Sequence, residues 1–202
     1  MPAYAIIPAA GRSARMGRAK LLLPWAGRTL IEHVIDAWRR GGVDARIVVV
    51  HPDDMQLADV CRAAGATVCV PATPPTEMKD SVQAGLSLAK QLFEPVDDDA
   101  WLLAPADLPL LSASLIGMLM AAYSQSKCPI VAPRLPNGRT GHPVLFSWRL
   151  AAAVTEVNGG VKELLERHPV KFVEWQDVDA FADIDTLNEY RHLQNRYDPN
   201  RS

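Results

Sequence analysis

The chain has 202 residues, 49% of them hydrophobic, and a formal net charge of −2 at pH 7. This length suits one medium-sized domain whose core needs no disulfides. The nearly balanced charge excludes a general attraction to nucleic acid or to membranes, so any binding of anions has to be local.

Cysteine usage and the lack of targeting signals predict a cytoplasmic protein. Cys61, Cys69 and Cys128 are widely spaced and form no CxxC pair, which argues against disulfides and against a zinc site. No charged stretch precedes an apolar run at the N-terminus, so we expect no signal peptide. No apolar run approaches the ~20 residues that a membrane-spanning helix needs.

Apolar runs alternate with amphipathic segments along the chain, which predicts an α/β fold with a mostly parallel sheet. Buried strands are expected at residues 4–7, 46–50, 67–70, 101–104, 130–132, 143–146 and 170–175. Helices are expected after the caps Thr29, Asp53 and Ser112, at 82–93, 150–157 and 161–167, and from Thr186 onward. One domain is predicted over residues 1–197, followed by a frayed tail at 198–202.

Four cations follow the first strand within a few residues of its end. The strand breaks at Pro8-Ala9-Ala10-Gly11, and the next residues include Arg12, Arg15, Arg18 and Lys20. Small residues let the backbone approach a ligand closely, and guanidinium and ammonium groups suit phosphate oxygens. The pattern predicts a loop that binds a polyphosphate.

Two familiar phosphate-binding loops are excluded by spacing. Leu21 stands where a P-loop needs Ser or Thr after the lysine, and Gly11 and Gly17 are too far apart for the dinucleotide fingerprint. What remains, G-x-x-x-R-M-G-x-x-K after an apolar strand, resembles the signature loop of the MobA/MocA-like nucleotidyltransferases, the molybdenum cofactor cytidylyltransferases and guanylyltransferases. The resemblance implies a Rossmann-like nucleotidyltransferase fold.

The same resemblance implies roles for the first loop. Arg15 and Lys20 would neutralise the triphosphate as catalytic residues, and the nucleotide would contact Ala9, Ala10, Gly11, Arg12, Ser13 and Gly17. Ser81, near the start of a helix after a proline-rich loop, matches the segment that contacts base and ribose in the family.

Asp107 lies between two prolines just after the buried strand at 101–104. Open α/β sheets bind ligands at this edge, and Mg²⁺ binds through one or two carboxylates plus phosphate oxygens. The sequence therefore predicts a catalytic, metal-binding carboxylate, with a helix cap or a turn as the alternative. The run P-A-D-L-P-L resembles the family's metal-binding segment, except that Leu108 replaces the usual Gln.

The second metal ligand is implied by an Asp-Thr pair that opens the last helix in the family. That role falls on Asp185, with Asp183 as the alternative and helix capping alone as a rival. The run from Gly138 to Val144 resembles the family's G-x-x-G-H-P-V segment, which implies that Arg139 and His142 bind the acceptor. Asn158 and Lys162 stand where the cytidylyltransferases usually have Asp and Arg, so the acceptor here is expected to differ if those groups recognise it.

The resemblance as a whole implies transfer of a nucleoside monophosphate onto the phosphate of a molybdopterin-type cofactor, with release of pyrophosphate. Ala9-Ala10-Gly11 is typical of the members that use CTP, so CMP is the expected group. The expected partners are these two substrates and a molybdoenzyme or its chaperone, with neither nucleic acid nor membrane. Three alternatives stay open: a cytidylyltransferase for methylerythritol phosphate or another sugar or alditol phosphate, an accessory protein that binds nucleotide without turnover, and, disfavoured by glycine spacing, a dinucleotide-binding oxidoreductase.

Overall fold

The computed structural model of the protein describes residues 1–11, 20–157 and 160–197. Its strands are β1 (Ala3–Ala9), β2 (Pro24–Trp25), β3 (Arg28–Thr29), β4 (Ala45–Val50), β5 (Thr67–Cys69), β6 (Ala100–Leu103), β7 (Ile130–Arg134), β8 (Val144–Ser147) and β9 (Val170–Glu174). Its helices are α1 (Leu30–Arg40), α2 (Met55–Ala63), α3 (Met78–Phe93), α4 (Ala113–Ser126), α5 (Ala153–Glu156), α6 (Val161–Arg167) and α7 (Leu187–Tyr197).

Seven of these strands form one sheet in the order β5-β4-β1-β6-β8-β7-β9. Strand β8 runs antiparallel to both of its neighbours, and the other neighbouring pairs run parallel. The predicted single-domain α/β fold with a mostly parallel sheet is therefore confirmed. The two short strands β2 and β3 pair with each other as a separate hairpin.

Helices cover both faces of the sheet, because successive residues of its central strands point to opposite faces and are apolar on both. In β1, Ala5 and Ile7 belong to the core under α1, α2, α4 and α7. Tyr4 and Ile6 belong to the core under α3, α5 and α6. Burial on both faces is typical of a parallel sheet between two helical layers.

The order of the strands places a crevice at the carboxyl ends of β1 and β6. The chain passes from β1 to β4 and β5 on one side and then returns to β6 on the other side of β1. Ligands of open α/β sheets bind at such a reversal. Because β8 is antiparallel, with Val144 opposite Leu103, the segment that precedes β8 reaches this same edge.

The predicted caps are confirmed for α1 and α4 but not for α2, and α3 and α5 start at Met78 and Ala153, against predicted starts at residues 82 and 150. Thr29 caps α1 and Ser112 caps α4, as predicted. The prediction that Asp53 caps α2 is wrong, because the helix starts at Met55 and the side chain of Asp54 accepts the amide of Leu57 at 3.1 Å. A cap has to adjoin the first helical residue to reach that amide.

The end of the first strand also differs from the prediction. Strand β1 continues through Pro8 to Ala9, which pairs with Val50. Pro8 has no amide hydrogen, but its carbonyl accepts the amide of Ala106 at 3.1 Å. No helix in the described ranges is long and apolar enough to cross a membrane. The predicted tail at 198–202 lies outside the described residues.

Helix α3 approaches the sheet closely because Gly85 has no side chain. A Cβ at this position would lie 2.8 Å from Cγ2 of Ile6 and 3.1 Å from Cγ2 of Val49. We expect Gly85→Ala to lower the free energy of unfolding by about 1–3 kcal/mol through overpacking, measured by urea denaturation. Gly117→Ala is the matched control, since nothing lies within 4 Å of a Cβ there in α4.

That control should be neutral or stabilising by up to about 1 kcal/mol, because alanine favours helix. Equal effects of the two substitutions would show that the contact of α3 with β1 tolerates a methyl group.

Candidate active site

A lysine and two carboxylates meet at the crevice between β1 and β6. The ammonium nitrogen of Lys20 lies 2.8 Å from Oδ2 of Asp107 and 3.4 Å from Oδ1 of Asp185. The Lys20 side chain is 13% exposed and that of Asp185 is 45% exposed, so the cluster opens to solvent on the Asp185 side. The structure brings these three predicted site residues together, and we call them the charge cluster.

Asp107 is held by the backbone on either side of it. The preceding residue, Ala106, donates its amide to Pro8 at the end of β1, and the carbonyl of Asp107 accepts the amide of Ile184 at 3.2 Å. Oδ1 of Asp107 is buried and has no hydrogen-bond partner among the described residues. A buried carboxylate oxygen without a donor calls for a ligand, and a divalent cation is suitable because it binds oxygen.

Leu108, which stands where the family usually has Gln, is a core residue. Its side chain is 3% exposed and belongs to the core beneath α1 and α4. Leu108 therefore stabilises the Asp107 loop by packing and supplies no polar contact to the site.

Asp185 is not needed as the cap of α7. Glu189 accepts the amides of Asp185 and Thr186 at 2.9 and 2.7 Å, and the Thr186 hydroxyl accepts the amide of Glu189 at 3.2 Å. This is the reciprocal capping box of a helix start. The amide of Asp185 lowers the pKa of the Glu189 carboxyl, with the Thr186 hydroxyl adding to the effect. The carboxylate of Asp185 is thus left to face Lys20.

Beside the charge cluster lies a cavity of about 1040 Å³. Arg139 and His142, both predicted to bind the acceptor, line it together with Lys79 and Lys162. Its other lining residues include the apolar side chains of Leu103, Val144, Val161, Leu165, Val170 and Phe172. Glu77 and Glu166 also line the cavity, so the three cations Lys79, Arg139 and Lys162 exceed the two carboxylates by one. An apolar wall with this small excess of positive charge suits an acceptor that combines a flat ring system with an anionic group.

His142 connects the cavity with the charge cluster and is a neutral group there. Its Nδ1 lies 3.4 Å from the carbonyl oxygen of Leu103, and a carbonyl can only accept, so Nδ1 carries the proton. Burial lowers the pKa of the imidazole, against smaller raising effects of that carbonyl and of Asp107. A neutral ring offers Nε2 as an acceptor and does not neutralise a phosphate.

Gly141 joins the acceptor segment to the loop that carries Asp185. A Cβ on Gly141 would overlap the ring of Phe181, so this ring packs where only glycine fits. Phe181 ends the short 3₁₀ turn Val178–Phe181, four residues before Asp185. The acceptor segment is therefore in contact with the chain that leads to Asp185.

The remaining predicted residues divide into two groups. Ala9 and Ala10 are buried at the end of β1, Gly11 is exposed, and Ser81 is buried on α3. Arg12, Ser13, Arg15, Gly17 and Asn158 lie outside the described residues. Lys79 donates to the carbonyl of Val157 at 2.7 Å, which ties the start of α3 to the segment before α6.

Some residues that line the cavity could not be recognised as site residues from the sequence. Leu103, Val144 and Phe172 belong to apolar strand runs that look the same whether a side chain faces the core or a cavity. Phe172 is further distinguished by the guanidinium of Arg134, which lies 3.7 Å from its ring centroid. Only the sheet order and the direction of each strand could have identified these residues.

A family model described as the MobA-like NTP transferase domain matches residues 5–172. The chain belongs to this family. The match includes the first loop, Asp107 and the acceptor segment, and it ends before Asp185, so Asp185 is supported here by its contact with Lys20 alone.

Relatives with curated names cover part or nearly all of the MobA-like chain. A molybdenum cofactor guanylyltransferase of Xanthomonas euvesicatoria is 35% identical over 130 residues, 63% of this chain and 58% of that protein. A probable molybdenum cofactor guanylyltransferase of Bacillus mycoides is 25% identical over 94% of both chains. A nicotine blue oxidoreductase of Paenarthrobacter nicotinovorans is 26% identical over 93% of this chain and 94% of its own.

Among solved structures, that of Rv0371c from Mycobacterium tuberculosis has a TM-score of 0.82 at 24% identity. The alignment covers 96% of this chain and 99% of that one. At this level of identity the similarity supports the fold of the MobA-like chain and not its substrate.

The low pKa of His142 predicts a dependence of stability on pH. Since the folded state disfavours protonation, the unfolded state binds more protons below the ordinary value of 6.5, and stability falls as pH decreases through and below that value. We expect the free energy of unfolding to fall less between pH 7 and pH 5 in His142→Gln than in the natural protein, measured by urea denaturation.

His168→Gln is the control, because this ring lies at the end of α6 and is not among the residues that line the cavity. Identical pH profiles for the natural protein and His142→Gln would contradict a neutral, buried imidazole.

Proposed function

We propose that the protein transfers a nucleoside monophosphate, CMP from CTP, onto the phosphate of a molybdopterin-type cofactor and releases pyrophosphate. The observation that carries this proposal is the charge cluster of Lys20, Asp107 and Asp185 at the strand reversal, next to a cavity with an apolar wall and cationic groups. Membership of the MobA-like family and the names of two relatives support nucleotidyl transfer to such a cofactor, and not the choice of CTP.

In this reaction a phosphate oxygen of the acceptor attacks the α-phosphorus while pyrophosphate leaves in line. The protein contributes position and charge and forms no covalent bond. Lys20, together with Arg15 of the first loop, would hold the triphosphate. Because the attacking group is already an anionic phosphate, the reaction needs no general base.

The carboxylates of Asp107 and Asp185 would hold Mg²⁺. The free oxygen of Asp107 fits this role, and no group of three or more His, Cys, Asp or Glu that could hold a metal occurs among the described residues. A site of two carboxylates matches Mg²⁺, which keeps several waters and binds substrate phosphates. Bound there, the ion would supply charge that stabilises the departing pyrophosphate.

The acceptor would lie in the cavity. Arg139 and Lys162 supply positive charge for its phosphate, and Leu103, Val144 and Phe172 give an apolar surface for its ring. Neutral His142 is suited to accept a hydrogen bond from a ring N–H or a hydroxyl through Nε2. This proposal keeps Arg139 and His142 as acceptor-binding residues, as expected from the sequence, and adds Lys162 as a second cation.

GTP is the second candidate for the nucleotide. Ala9-Ala10-Gly11 favours CTP, whereas the two relatives are named guanylyltransferases. The oxidoreductase name of a third relative shows that this family likeness does not fix the reaction by itself, so a redox assay with nicotinamide cofactors belongs among the controls.

The decisive measurement is Mg²⁺-dependent release of pyrophosphate from CTP, GTP, ATP and UTP, with and without the pterin cofactor. We expect release only when the cofactor is present, with CTP preferred. Lys20→Met and Asp107→Asn should lower kcat/KM by about 100-fold or more, since each removes charge that acts on the triphosphate. Asp98→Asn, an exposed partner of Arg149, should stay near the natural rate.

Each alternative has its own outcome in this assay. Release with GTP alone would make the protein a guanylyltransferase. Release that depends on methylerythritol phosphate or another sugar phosphate would move it to that substrate class. Nucleotide binding without release of pyrophosphate for any acceptor would favour an accessory protein that binds nucleotide without turnover. Full activity of Asp107→Asn would contradict the proposed active site.

The choice between Asp183 and Asp185 is a separate prediction. Only Asp185 contacts Lys20, and Asp183 is exposed. We expect Asp185→Asn to lower metal-dependent pyrophosphate release by about tenfold or more, while Asp183→Asn changes it less than about twofold. Titration of activity with Mg²⁺ distinguishes them, and a larger loss in Asp183→Asn would reassign the ligand.

A further inference from the structure

The carboxylates assigned to the metal are the same groups that Lys20 contacts. We infer that Lys20 competes directly with the metal for Asp107 and Asp185, so that the site accepts a metal–nucleotide complex and binds free metal poorly. This inference rests on the proposed function and defines the form of the substrate that the site takes.

The distances place the ammonium on the same two carboxylates that the metal would use, although Oδ1 of Asp107 itself has no partner in the described part of the chain. The ammonium of Lys20 lies 2.8 Å from Oδ2 of Asp107, the distance of a direct charged hydrogen bond, and 3.4 Å from Oδ1 of Asp185. Mg²⁺ contacts oxygen at about 2.0–2.1 Å. A metal bridging these carboxylates would therefore meet the ammonium at a separation where two positive charges repel strongly.

Burial preserves this repulsion. The side chains of Lys20 and Asp107 are 13% and 23% exposed, so water and salt screen them less than they screen surface charges. Binding of the metal to both carboxylates is therefore favoured once the ammonium has moved away from them. With its ordinary charges the cluster carries a net charge of −1, and it carries −2 once the ammonium has moved away.

The backbone of Lys20 is fixed, so the movement belongs to its side chain. Lys20 begins the 3₁₀ turn Lys20–Leu22, in which Leu21 is 8% exposed and the carbonyl of Lys20 accepts the amide of Leu23. The flexible four-carbon stem of lysine allows the ammonium to change partners without moving this turn.

A triphosphate supplies the new partner. Its oxygens attract the ammonium away from Asp107 and Asp185, and both carboxylates then become available to the metal. Nucleotide and metal therefore bind with positive coupling, and each raises the affinity of the other by the same factor. Lys20 is in this respect a positioning residue for the metal as well as a ligand of the phosphates.

Mn²⁺ binding to the protein tests the inference without any turnover. The free ion is measured by electron paramagnetic resonance for the natural protein, Lys20→Met and Lys20→Arg, with and without CTP or GTP. We expect Lys20→Met to bind Mn²⁺ alone about tenfold or more tightly than the natural protein. Lys20→Arg keeps the charge and should bind it as weakly as the natural protein.

Lys90→Met is the matched control. It removes the same charge from the last turn of α3 and should leave Mn²⁺ affinity unchanged. Nucleotide should tighten Mn²⁺ binding to the natural protein much more than to Lys20→Met. Circular dichroism melting of each variant checks that it is folded.

The result that would overturn the inference is Mn²⁺ binding to folded Lys20→Met that is equal to or weaker than that of the natural protein. Asp107→Asn separates this failure from a failure of the proposed function. If Asp107→Asn abolishes Mn²⁺ binding but Lys20→Met does not tighten it, the metal site stands and the competition is wrong. If Asp107→Asn binds Mn²⁺ normally with nucleotide, both are wrong.

Discussion

The ion pair between Lys20 and Asp107 depends on two strands meeting side by side with their carboxyl ends at one edge. Strand β1 pairs with β6 in parallel register, and the amide of Ala106 binds the carbonyl of Pro8 just beyond the paired residues. This bond sets the height of Asp107 above the sheet. The ammonium of Lys20 reaches it from a turn whose next residue, Leu21, is anchored in the core.

The site has two parts with different physical character. Charge dominates at Lys20, Asp107 and Asp185, whereas the cavity offers an apolar wall with cations around it. The segment that carries His142 contacts the scaffold of the charged part in two places. Nδ1 of His142 lies 3.4 Å from the carbonyl of Leu103, at the end of the strand that leads to Asp107, and Gly141 packs against Phe181, four residues before Asp185. Because the two parts are built from different segments, the lining of the cavity can change without altering the charge cluster.

Much of the fold and of the charge cluster could be predicted from the sequence because those features leave local signals. Thr29 and Ser112 precede helical patterns, and Asp107 stands between prolines after an apolar run. The direction of a strand leaves no such local signal. The antiparallel direction of β8 and the residues of the cavity wall therefore could not be predicted from the sequence. The roles assigned to the first loop and to Ser81 stay predictions, as does the cytoplasmic location.

The contacts of the site join residues that are far apart in the sequence, which affects the order in which the protein folds. Lys20 is 87 residues from Asp107 and 165 residues from Asp185, and the bond from Ile184 to Asp107 closes the loop between them. Contacts this remote cost chain entropy and form late. During synthesis the central sheet can assemble first, and the second carboxylate can join the site only once Asp185 has left the ribosome.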